Sequence, residues 1–126
     1  MEHILQPEGE MKVNIIDRLE TAFEPEEVLQ LAGDLVRIPS HCQAPGRETA
    51  VARFLAGWLG ERGVEVALRP VVEDRPNVIA TLRGRGGGRS LLLNGHIDTV
   101  PPYAMTIDPF SGELKDGKIW GRGSCD

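Results

Sequence analysis

The chain has 126 residues, 40% hydrophobic and 26% charged, the proportions of an ordinary globular domain. A net charge of -5 argues against a nucleic-acid-binding surface, which needs clustered Lys and Arg to neutralise phosphates. The absence of any apolar stretch near the ~18–20 residues that span a bilayer argues against a membrane role. The polar, acidic start Met1–Glu10 does not read as a signal peptide. Two cysteines, Cys42 and Cys125, make no disulfide framework, and a cytoplasmic setting is expected.

In chain order, Ile15, Ile16, Leu19 and Phe23 have roughly helical spacing and predict a helix within Glu10–Phe23, without clean caps. Pro25 then occupies a first-turn position, and Glu26 and Glu27 suit the positive end of a helix dipole. Val28, Leu31, Ala32 and Leu35 continue that helix as one stripe, and Pro39 stops it after Ile38. Ser40–Pro45 reads as a loop. A further amphipathic helix follows, with Val51, Phe54, Leu55, Trp58 and Leu59 on one face and Gly63 as its C-terminal cap.

The period then changes. Val64–Leu68 alternates like a strand, Asn77–Leu82 reads as another, and Gly84–Gly88 is a glycine-rich turn. Ser90–Asn94 is apolar through Leu91, Leu92 and Leu93, the pattern of a strand buried on both faces of a sheet. Asp116-Gly117 between two short runs predicts a hairpin. Helices followed by strands of buried character predict an α/β fold built in layers. Residues 1–24 read as a partly helical extension and 25–126 as the domain proper.

Several features have plain explanations. The glycine run lacks the G-x-G-x-x-G spacing and precedes a strand, so no helix N-terminus is offered to a phosphate; a P-loop lacks its Gly-Lys-Ser/Thr. Arg83, Arg85 and Arg89 sit among these glycines as a loop tip. His41-Cys42 is a lone dipeptide in a loop, and Cys125 is expected to be a small buried hydrophobe.

His96-Ile97-Asp98 carries more chemistry. Alternate residues of an extended chain share a face, so the imidazole and the carboxylate emerge together. A metal-bound histidine commonly donates its second nitrogen to such a carboxylate. Pro101-Pro102 ends the segment, and the strand end would lie where open sheets bind ligands. The chain closes on a further carboxylate, Asp126, after Gly121-Arg122-Gly123-Ser124-Cys125.

Three segments, His96-Ile97-Asp98-Thr99-Val100-Pro101, Asp108-Pro109-Phe110 and Asp116-Gly117-Lys118-Ile119-Trp120-Gly121-Arg122-Gly123-Ser124-Cys125-Asp126, occur in one order and spacing. In these the chain resembles the zinc-dependent metallopeptidase and deacylase family of acetylornithine deacetylase, succinyl-diaminopimelate desuccinylase, aminoacylase and glutamate carboxypeptidase. The resemblance implies a layered α/β/α zinc-hydrolase-type catalytic domain with a mixed sheet, of which residues 25–126 would be the N-terminal portion. It implies that His96 binds one zinc, that Asp98 is the catalytic carboxylate orienting His96, and that Asp126 bridges two metal ions. The cofactor would be Zn2+, two per complete site, with Co2+ as a substitute. The substrate would be a small N-acylated amino acid or peptide, its amide attacked by metal-bound water. Nucleic acid and membrane would not be partners, and a homodimer of the full-length protein would form through a smaller domain inserted later in the chain.

A Glu-Glu general-base pair, another acidic ligand and a histidine would all lie beyond Asp126, so the 126-residue chain alone is expected to be inactive. Ala104-Met105-Thr106 occupies the stretch where the family often has a tryptophan. The alternative is a truncated non-catalytic remnant or interaction module. A redox or metal-storage role would require Cys42 and Cys125 to meet.

Overall fold

A computed structural model of the chain describes residues 14–22, 24–73 and 75–126. Helix α1 (Ile15–Glu20) is followed by α2 (Pro25–Val36) and α3 (Thr49–Glu61). Strands β1 (Glu65–Val72) and β2 (Arg75–Thr81) come next, then β3 (Glu113–Lys115) and β4 (Lys118–Trp120). The α/β character is as the sequence predicts.

Helix α1 is shorter than predicted; the predicted positions 10–13 and Phe23 lie outside the described residues. It does have a cap: Asn14 Oδ1 accepts from the Ile16 N–H at 3.1 Å. Helix α2 starts at Pro25 as predicted and ends at Val36, two residues before Ile38. Its last turn tightens, with the Ile38 N–H donating to the Leu35 carbonyl at 3.1 Å. The stripe shifts by one position: Val28 is exposed, and Gly33 and Val36 are the buried residues.

The core is small and lies between α2, α3 and the loop that joins them. Val36, Ala44, Val51 and Ala52 are buried there. Helix α3 packs on β1 and β2, and α2 on β3 and β4. Strands β1 and β2 form one antiparallel pair from Glu65–Thr81 to Val72–Arg75. They run further toward the turn than the sequence predicts, because Pro70 and Pro76 face each other in the ladder. Each strand of a two-stranded sheet has a free edge, where a residue without an N–H is tolerated. The Asp116-Gly117 hairpin forms as predicted, both residues having positive φ.

The expected apolar strand does not form. Ser90–Asn94 forms no strand, and Leu91, Leu92 and Leu93 are 84%, 87% and 84% exposed. A cleft of about 380 Å³ separates Leu92–Asp98 from β2, so no ladder closes between them. An apolar run becomes a buried strand only where neighbours pair with it and cover it. Among the described residues none does. No helix among the described residues is long and apolar enough to cross a membrane.

Candidate metal centre

Without a strand to hold it, the segment carrying His96 is anchored by the loop after α2. His41 and Thr99 form an isolated parallel bridge. The Thr99 N–H donates to the Ser40 carbonyl at 3.3 Å, and the two hydroxyls of Ser40 and Thr99 lie 3.3 Å apart. His41 is buried and stacks on Phe110, ring centres 5.9 Å apart.

The second half of the site is delivered by Gly121–Asp126. The Asp108 carboxylate accepts from the Phe110 N–H at 2.9 Å, and the Pro109 carbonyl accepts from the Arg122 N–H at 2.6 Å. The Asp-Pro-Phe turn therefore holds the start of the final segment. Gly121 has φ 145°, and a Cβ there would lie 2.3 Å from Val36 Cγ1. Gly123 has φ 84°, and a Cβ would lie 2.8 Å from Thr99 Cγ2. Only glycine allows so close an approach in this backbone conformation. The Gly-Arg-Gly sequence thus seats the final segment against α2 and the residue after Asp98.

The result brings His96, Asp98 and Asp126 together. His96 Nδ1 lies 2.8 Å from the backbone carbonyl of Asp98, which accepts its proton. The Asp98 carboxylate is farther, with Oδ1 at 3.4 Å from the same nitrogen. On the other side, His96 Nε2 lies 3.1 Å from Asp126 Oδ1. The Asp98 carbonyl, first, and then the Asp126 carboxylate, by hydrogen bond and by charge, raise the imidazole pKa above its ordinary 6.5. In the neutral ring the proton on Nδ1 leaves the Nε2 lone pair directed at Asp126.

A neutral imidazole nitrogen and a carboxylate oxygen are two of the donor types zinc takes. Two such donors at ~2.05 Å from one tetrahedral ion lie about 3.3 Å from each other, close to the Nε2–Oδ1 separation. The pair therefore fits part of a metal shell. Among the described residues, no group of three or more His, Cys, Asp or Glu side chains is arranged to hold an ion. A cavity of about 230 Å³ adjoins the pair, with Leu35, Val36 and Leu55 on its apolar wall.

Two charged residues outside the recognisable motifs also reach the site. Glu48 is 4% exposed and accepts from Arg75 Nε at 3.0 Å; Arg75 Nη2 lies 3.7 Å from Asp98 Oδ2. The only signal in the sequence is a glutamate beside the start of a helix, too common to single out. Cys125 is exposed rather than buried, because Ser124–Asp126 lie at the surface beyond the seat of Gly123. Cys42 is exposed as well, and both thiols are free.

Residues 92–126, which contain all three site residues, match the sequence profile of peptidase family M20/M25/M40. The chain is 38% identical over 105 residues to a succinyl-diaminopimelate desuccinylase of Cereibacter sphaeroides, covering 81% of this chain and 27% of that protein. It is 44% identical over 81 residues to an acetylornithine deacetylase of Photorhabdus laumondii, covering 61% and 20%. It is 41% identical over 100 residues to a probable carboxypeptidase of Emericella nidulans, covering 78% and 23%. The chain spans about a quarter of the length of these curated relatives. No solved structure matches it. The resemblance carried by the three motifs is borne out.

Proposed function

We propose that this chain, similar in residues 92–126 to the M20 peptidases, supplies the first metal ligands of a two-zinc amide hydrolase. The substrate class is a small N-acylated amino acid or peptide, from which an acyl group or a terminal residue is removed. Two of the similar proteins are named for loss of a succinyl or an acetyl group and a third as a carboxypeptidase. Residues 25–126 would be part of the catalytic domain, working in the cytoplasm.

The observation that carries this reading is the meeting of His96 Nε2 and Asp126 Oδ1 at 3.1 Å. His96 would bind one ion through Nε2, its ring held by the bond from Nδ1–H to the Asp98 carbonyl. Asp98 would steady that ring from the same side. Asp126 has two oxygens, one facing His96 and the other free to reach a second ion. When bound, two divalent cations lower the pKa of water toward neutrality and polarise an amide carbonyl.

The test is metal content and acyl release by the protein its native gene encodes, with N-acetyl and N-succinyl amino acids as substrates. Bound zinc and chelator-sensitive release, both lost in His96→Ala, support the proposal. Release that persists unchanged in His96→Ala overturns it. A non-catalytic module is the alternative reading. It would show zinc uptake without release.

A further inference from the structure

Glu48 immediately precedes α3, where a side chain ordinarily caps the helix, yet its carboxylate makes no cap hydrogen bond. It is buried and bonded to Arg75 instead. A carboxylate removed from water this fully needs a charged partner. Arg75, the first residue of β2, supplies it through Nε at 3.0 Å. The other side of the guanidinium faces outward, with Nη2 3.7 Å from Asp98 Oδ2. The remaining Asp98 oxygen, Oδ1, lies 3.4 Å from His96 Nδ1.

Five groups thus stand in line: Glu48, Arg75, Asp98, His96 and Asp126. We infer that Arg75, fixed by the buried Glu48, is a positioning residue that holds Asp98 and through it the ring of His96. This rests on the reading of His96 as a metal ligand. The planar guanidinium serves two carboxylates at once, which a lysine ammonium does less well. Arg75 and Asp98 are each about half exposed, and ion pairs of that kind contribute little to stability. What the pair does is restrict where Asp98 points. The link ties the imidazole to the N-terminal end of α3 and the start of β2, elements of the packed part of the fold.

The experiment uses the protein its native gene encodes, its histidines labelled with 15N, at a pH where the His96 ring is neutral. Its imidazole 15N shifts report the tautomer without metal, and a zinc titration followed on the same resonances reports affinity. Wild type is expected to hold the proton on Nδ1. Arg75→Met is expected to mix the tautomers and weaken zinc binding by up to about tenfold, no more than loss of the Asp98 carboxylate through which it acts. Arg75→Lys restores part of the loss. Since Arg75→Met leaves Glu48 buried without a partner, the double variant Glu48→Gln/Arg75→Met removes both charges and gives the same result in a chain that keeps its fold. A folded double variant with wild-type tautomer and wild-type affinity overturns the inference. If the wild-type chain takes up no zinc, the metal-ligand reading falls instead, and the tautomer comparison alone decides whether Arg75 positions the ring.

Discussion

His96 Nε2 and Asp126 Oδ1 are thirty residues apart in sequence and 3.1 Å apart in space. Two separate anchors create that contact. The Ser40–Thr99 contacts fix one partner, and Gly123, packed on Thr99, delivers the other. The geometry of the pair therefore depends on a backbone approach as much as on the two side chains.

Gly123→Ala tests that dependence. A Cβ at φ 84° would lie 2.8 Å from Thr99 Cγ2, so the final segment must move. The left-handed conformation alone costs a non-glycine residue about 1–2 kcal/mol. A lower thermal midpoint is expected, together with loss of the zinc-induced shift of the His96 resonances. An unchanged zinc response would show that Asp126 reaches the site by another route.

The helices, the segments of β1 and β2 and the Asp116-Gly117 hairpin are legible because each is specified locally. The apolar stripe of α3, the Pro25 start of α2 and the Asp116-Gly117 turn need no distant partner to be recognised. His96, Asp98 and Asp126 can be singled out for a different reason, since they stand in two of three motifs of fixed order. Ser90–Asn94 was misread because apolar character signals burial but does not supply the neighbouring strands that achieve it. Glu48 and Arg75 were missed because their pairing is purely tertiary, twenty-seven residues apart and outside any motif. The early end assigned to β1 reflects Pro70, whose missing N–H matters less in a two-stranded ladder with free edges.

The His96 titration has a definite direction. With its pKa above 6.5, the ring of the metal-free chain is more than half protonated at pH 6.5. If His96 is a ligand as proposed, proton and zinc compete for Nε2, so zinc uptake is expected to rise as pH rises through the elevated value and to be lost below it. Asp126→Asn removes a hydrogen-bonded charge and is expected to lower the His96 pKa in an NMR titration of the metal-free chain. An unmoved titration curve would rule out the contact between the two side chains in solution.

Asp98→Asn separates the carboxylate of Asp98 from its backbone. The nearer partner of His96 Nδ1 is the Asp98 carbonyl at 2.8 Å, which the substitution leaves in place. The expected loss of zinc affinity is about tenfold, at the low end of the range for groups behind a metal ligand. His96→Ala, by contrast, removes a donor outright and should abolish the zinc-dependent shifts of the residues lining the cavity. Equal losses in the two variants would make Asp98 a direct ligand.

Leu91, Leu92 and Leu93 present an exposed apolar run beside a cleft and an edge of β2 that is unpaired among the described residues. Such a surface favours association through strand edges and apolar contact. The isolated 126-residue chain is expected to self-associate in sedimentation velocity, in a concentration-dependent manner. Leu92→Glu places a charge in the middle of the run, on a side chain 87% exposed, where it should leave the core of Val36, Val51 and Ala52 intact. A shift toward monomer with an unchanged far-UV spectrum is the expected outcome. A wild-type chain that is monomeric at all concentrations would show that the leucines are covered in solution by the chain itself.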